Sequence, residues 1–141
     1  MDNKKIRLFF SLVIVLTLLT ACAPKGTPLS GADRDAVLAF SEAKTDNLLM
    51  GMNAADYTAF SRDFDAEMLA AMNQSQFDSL KADRDAKLGL YISRTVDSVL
   101  QQGDFYIVIY NAAFEKDEAV IVRVVFRIAE PHEVSGLWFN K

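Results

Sequence analysis

The spacing of apolar residues changes twice along the chain, and each change marks a different kind of segment. Leu8 to Leu19 is a nearly unbroken apolar run, interrupted only by Ser11 and Thr17. From Ala32 to Leu88 the apolar positions fall near helical spacing. Val37, Phe40, Leu48 and Met52 form the stripe of a first helix reaching about Gly51, with Lys44 and Asn47 weakening its middle. Ser30 and Asp33 have the separation of a capping box at its start. "GMNAADY" breaks the pattern before a short helix through Tyr57 and Phe60. Asp65 then caps a further helix, with Phe64 stapled onto Leu69 and with Met68 and Met72 on its inner side. A cap at Ser75 to Asp78 opens a last helix through Leu80 and Leu88, which Gly89 stops as the C′ residue.

After Gly89 the period becomes two. "LYISRTVDSVL", "FYIVIYNAAF", "AVIVRVVFRI" and "VSGLWF" are rich in β-branched and aromatic residues, with polar turns between them. The turns are too short for parallel crossovers, so four strands in an antiparallel meander are expected. In the third strand Val120, Val122, Val124, Phe126 and Ile128 share one face. Ile121 and Val125 share the other with Arg123 and Arg127, and so mixed a face can pair with a second copy. The class is therefore α+β, with N-terminal helices packed on a curved four-stranded antiparallel sheet.

Composition explains the first segment. Lys4, Lys5 and Arg7 precede an apolar run that is shorter than the roughly 20 residues a transmembrane helix needs. Leu19-Thr20-Ala21-Cys22 follows and resembles the lipobox of prokaryotic lipoproteins. In that motif the thiol receives a diacylglyceryl group and the chain is cut just before the cysteine. An ordinary secretory signal with a leftover thiol, or an uncleaved signal anchor, is the alternative. Only the lipobox explains why the single cysteine of the chain stands there. Each buried CH₂ contributes about 0.8 kcal/mol, so the two chains of such an anchor hold where one would not. The expected organisation is a signal peptide over 1–21, a flexible Pro- and Gly-containing tether over 22–31 and one domain over 32–141. Membrane lipid would be met through Cys22 on the extracytoplasmic face. Cleavage removes a net +2 and moves the formal charge from -4 to about -6. An acidic body without clustered Lys and Arg excludes nucleic acid as a partner.

Helices followed by an antiparallel sheet closing on "VSGLWF" resemble the nuclear-transport-factor-two-like (cystatin-like) cone. More narrowly, the chain is similar to an uncharacterised domain family common on small prokaryotic lipoproteins. The matching pieces are "NAADYTAFSRDF", the helices ending "KLGLY", "YNAAFEKDEAVIVRVVF" and the "VSGLWF" ending, over nearly all of residues 32–140. The resemblance implies a fold but no chemistry, because cones of this kind include enzymes, ligand binders and dimerisation modules.

Candidate chemistry is sparse. His132 is the single histidine and follows Pro131 in a turn, so no metal cluster is expected. Asp63, Asp65 and Glu67 are accounted for by capping and solvation. No phosphate loop or nucleophile elbow is visible, and neither cofactor nor catalysis is expected. The open end of a cone could gather Asp46, Asn47, Arg94, Tyr106, Tyr110, Asn111 and Trp138 around a small ligand, with Asn47, Arg94, Tyr106, Tyr110 and Trp138 as the candidate pocket. In the alternative, Asn47 faces solvent, Arg94 pairs with a surface carboxylate and the aromatics fill the core. The expected function is a non-catalytic, membrane-anchored binding or interaction module, with a small-ligand carrier as the second reading.

Overall fold

The structure is a computed structural model that describes residues 26–141. Cys22, the expected signal peptide and residues 22–25 of the expected tether lie outside the described residues. Helices α1 (Gly31–Asn53), α2 (Tyr57–Ser61), α3 (Ala66–Ala71) and α4 (Gln74–Lys87) are followed by strands β2 (Tyr91–Gln102), β3 (Phe105–Phe114), β4 (Asp117–Arg127) and β5 (Val134–Asn140). A short strand β1 (Thr27–Pro28) precedes them all, and the sheet order is β1-β2-β3-β4-β5, every neighbour antiparallel. Helices on an open antiparallel sheet are thus the architecture, with five strands where four were expected. The extra strand comes from the stretch expected to stay free. Thr27 and Pro28 stand opposite Gln101 and Leu100, and the Leu29 N–H donates to Val99 O at 2.8 Å. A bare edge of β2 would leave a row of donors and acceptors unpaired, and Leu29 adds an apolar side chain packed on the core.

The four longer strands lie within two residues of their expected bounds, because alternation on a half-covered sheet is a strong signal. Val120, Val122, Val124 and Phe126 are fully buried beneath the helices, together with Val108, Tyr110, Ala112 and Phe114 of β3. On α1, Val37, Leu48, Leu49 and Met52 complete this core. The inward face of α1 also carries Ser41 and Thr45, both fully buried, which dilutes its apolar stripe. Gly51 lets α2 turn back against α1, since a Cβ there would stand 2.6 Å from the Phe60 backbone nitrogen.

Three local expectations change. Ser30 is the N-cap residue of α1, but its side chain makes no capping hydrogen bond. The cap of α4 is Asn73 rather than Ser75: its side chain accepts from Gln76 N–H while the Gln76 side chain accepts from Asn73 N–H. Asp65 does cap α3, accepting from Met68 N–H at 2.7 Å, but the staple does not form. Leu69 stays exposed while Phe64 turns inward to meet Phe60 edge-on at 5.1 Å. Phe64 forms a parallel bridge with Val134, which joins the connection before α3 to β5. Gly89 ends α4 as expected, at a φ of +76°.

Candidate functional site

Arg94 and Tyr110 meet, and what they form is a polar clasp between α1 and the sheet. The Arg94 guanidinium donates to Asp46 at 2.6 Å, to Tyr91 Oη at 3.0 Å and to Glu42 at 3.2 Å, and lies 5.0 Å from the centre of the Tyr110 ring. Tyr110 donates its hydroxyl to Glu42 at 2.8 Å and lies 3.1 Å from the Thr45 hydroxyl. Burial pushes the Tyr110 phenol well above its usual range, so it stays protonated. Burial alone would lower the Arg94 value, but the hydrogen bonds to Asp46 and Tyr91 and the Glu42 charge raise it. Tyr110→Phe keeps the packed ring and removes the hydroxyl, so it is expected to lower stability by about 1 kcal/mol in chemical denaturation.

The other candidates sit elsewhere. Asn47 is half-buried and donates to Asp63 at 2.8 Å, beside Lys44. Tyr106 packs near Phe40 and His132, whose rings stack on each other at 4.0 Å. Trp138 and Asn111 belong to the opposite face of the sheet, so the five candidate residues do not converge on one cavity. Sequence parity assigns each strand residue to a face, but it does not tell which helix residue lies opposite.

Asn47 and Tyr106 line separate surface hollows, and two further concave regions involve β5. A groove of about 320 Å³ runs between α4 and β5, lined by Leu80, Leu88, Val120, Leu137 and Phe139. Its rim cations Lys87 and Lys141 are paired with Asp83 and Asp117. The second is a hollow of about 610 Å³ on the helix-free face of the sheet, with Ile107 and Val125 as its floor and Phe105, Arg123 and Trp138 at its rim. Trp138 lines both and covers Gly136, where a Cβ would collide with the indole. The mixed character of this face was legible from the alternation in β4, whereas its hollow shape was not. Among the described residues no group of three His, Cys, Asp or Glu could hold a metal ion, and no helix is long and apolar enough to cross a membrane.

The fold defines an α+β domain whose helices cover one face of an open antiparallel sheet and reach the other only at its edge, where Glu67 of α3 meets Arg127. The chain belongs to the family described as "Protein of unknown function (DUF3887)", which matches residues 46–137. No curated protein and no solved structure matches it.

Proposed function

We propose that the protein is a lipid-anchored, extracytoplasmic, non-catalytic interaction module, with residues 1–21 as signal peptide and Cys22 as the lipidated residue. The observation that carries the reading is the position of Cys22: the sole cysteine, at the foot of an apolar run, five positions before the first strand at Thr27. That spacing leaves a leash of at most about 18 Å between lipid and sheet. The helices-then-meander order supports the nuclear-transport-factor-two-like cone as the fold. The bare sheet face is the surface on which a partner would sit. Growth of an expressing bacterium on an alkyne analogue of palmitate should label the protein and leave it in the membrane fraction. Cys22→Ser should abolish the label and the membrane retention together. A labelled Cys22→Ser protein, or an unlabelled wild type, would count against the anchor.

The second reading, a carrier of a small apolar ligand, is supported by the groove between α4 and β5. Its volume lies at the lower end of the range for ligand sites, roughly 300–1,000 Å³. Native mass spectrometry of the purified full chain separates the two, since a carrier retains a stoichiometric passenger and an interaction module does not.

A further inference from the structure

The two edges of the sheet are finished differently. β1 is two residues long and includes Pro28, which lacks an N–H, so that edge offers little to a further strand. β5 closes the other edge over Val134–Asn140, seven residues with neither a charge nor a proline among them. Edges of that length are usually guarded by lysine, by proline or by a covering segment. Among the described residues, only the first residue of this one is covered by backbone. Val134 turns its backbone outward, donating to Asp63 O at 2.7 Å and accepting from the Asp65 N–H at 3.0 Å. Phe126, opposite Val134, then points its backbone toward β3, and so do Val124 and Val122, which follow at intervals of two along β4. Leu137 and Phe139 stand opposite these two, a bulge before Gly136 absorbing the odd residue. Their N–H and C=O groups therefore face out of the sheet, and among the described residues they meet no partner. The side chains of the same two residues line the groove between α4 and β5, with Leu80 and Leu88 on its helix side. Its rim cations are neutralised by Asp83 and Asp117, so the groove selects no charge.

We propose that β5 receives an extended, uncharged segment of a partner protein as an added strand, bonded through its backbone to Leu137 and Phe139 and placing alternate apolar side chains in the α4–β5 groove. Added strands take affinity from main-chain hydrogen bonds and selectivity from a pocket for every second side chain. Here both features belong to the same two residues. The inference deepens the interaction-module reading and gives it a more specific surface than the helix-free face. The chain's own leash cannot fill the edge. It leaves from Thr27, which is level with Val134 through the paired strands but four strand spacings away, roughly 19 Å, and that distance exceeds its reach. In this step the inference rests on the lipid reading of Cys22.

Amide exchange of Leu137 and Phe139 in the full chain in detergent tests the site, with emission from Trp138, the sole tryptophan and a residue of the groove, as a second readout. The probe is a short peptide of alternating valine and threonine, blocked at both ends. Without it both amides should exchange fast. Saturating peptide should slow both by at least about tenfold and move the Trp138 emission to shorter wavelength. The same peptide methylated on every backbone nitrogen keeps its side chains and loses its donors, and it should bind at least about tenfold more weakly. Phe139→Pro removes one outward N–H and leaves the β4 ladder intact, so it should weaken binding of the unmethylated peptide as much. It also loses a partly buried ring, and should it misfold, the methylated peptide on the wild type decides. Slow exchange of both amides before peptide is added would overturn the proposal, because a second copy or the chain itself would already occupy the edge. So would equal binding of the methylated peptide, which marks a groove for apolar ligands of any form, or an absence of protection at the peptide's solubility limit. Palmitate labelling of the same protein is scored separately: an unlabelled protein that binds the peptide ends the anchoring reading alone, and a labelled protein that ignores it ends the strand site alone.

Discussion

Replacing Asp65 with alanine is expected to destabilise the fold by about 3 kcal/mol, enough to lower the melting temperature by about 10 °C. One carboxylate joins three elements. It caps α3 through the Met68 N–H, accepts from Ser135 of β5 at 2.6 Å and pairs with Arg127 of β4 at 2.8 Å, all while 2% exposed. Removing it leaves a helix end uncapped and a hydroxyl without its acceptor. Arg127 keeps Glu67, so the cost falls at the lower end for breaking a buried pair. Asp65→Asn retains the cap but puts an amide donor where Oδ2 accepts from Arg127 and Ser135, so it should recover only the capping part of the loss.

The same carboxylate predicts how stability depends on pH. Burial acts to raise its pKa, but the bonds from Ser135, Met68 and Arg127 outweigh burial and hold it below the ordinary value of 3.8. Asp85 is lowered likewise, with Lys81 and Arg84 outweighing burial. A carboxylate whose pKa is lower in the folded state contributes stability that is fully present above its unfolded value and lost as pH falls through the folded one. Stability should therefore be flat from neutral pH to about 5 and decline steeply below about 4. In Asp65→Asn that decline should be shallower. Denaturant titrations at a series of pH values check both statements, and an unchanged acid slope in Asp65→Asn would remove Asp65 as its source.

The second large effect is expected at Phe77. Its ring is fully buried, 4.7 Å from Phe60 and 5.6 Å from Tyr57, and it is the largest apolar side chain that α4 buries. Phe77→Ala should cost about 3–5 kcal/mol, a large part of the 5–15 kcal/mol that typically stabilises a domain. Between α4 and β5 lies the open groove, so packing on the sheet does little to compensate. Besides partly buried Leu80, the other ties are polar: Arg84 donates to Asn53 at 2.8 Å, and Lys116 donates to the carbonyls of Asp85 and Ala86. Amide exchange should accordingly accelerate first in α4, and uniform acceleration across the sheet would contradict this weak attachment.

These two residues illustrate how much of the fold was legible in the sequence. Asp65 could be assigned as a cap from its position before an apolar helix, because capping is a local rule. Its bonds to Arg127 and Ser135 cross more than 60 residues of chain, with separations of 62 and 70, and no spacing rule reaches that far. Strands β2 to β5 were legible because a sheet covered on one face writes a period of two into the chain. Strand β1 was not, since two residues carry no period and Pro-Gly composition argues for a free segment. Helix α1 was weaker than its length warrants because Ser41 and Thr45 occupy core positions, with Thr45 serving the Tyr110 hydroxyl. The expected pocket dispersed for a related reason. Arg94 and Tyr110 do share a face with Tyr106, but the carboxylates that engage Arg94 come from α1, 48 and 52 residues away.

The attachment of lipid at Cys22 is tested most directly by the intact mass of the mature protein extracted from membranes. The anchoring account predicts a chain that begins at Cys22 and carries the added mass of a diacylglyceryl group on its sulfur. A membrane-extracted chain that still begins at Met1, or one that begins at Cys22 with an unmodified thiol, would contradict it.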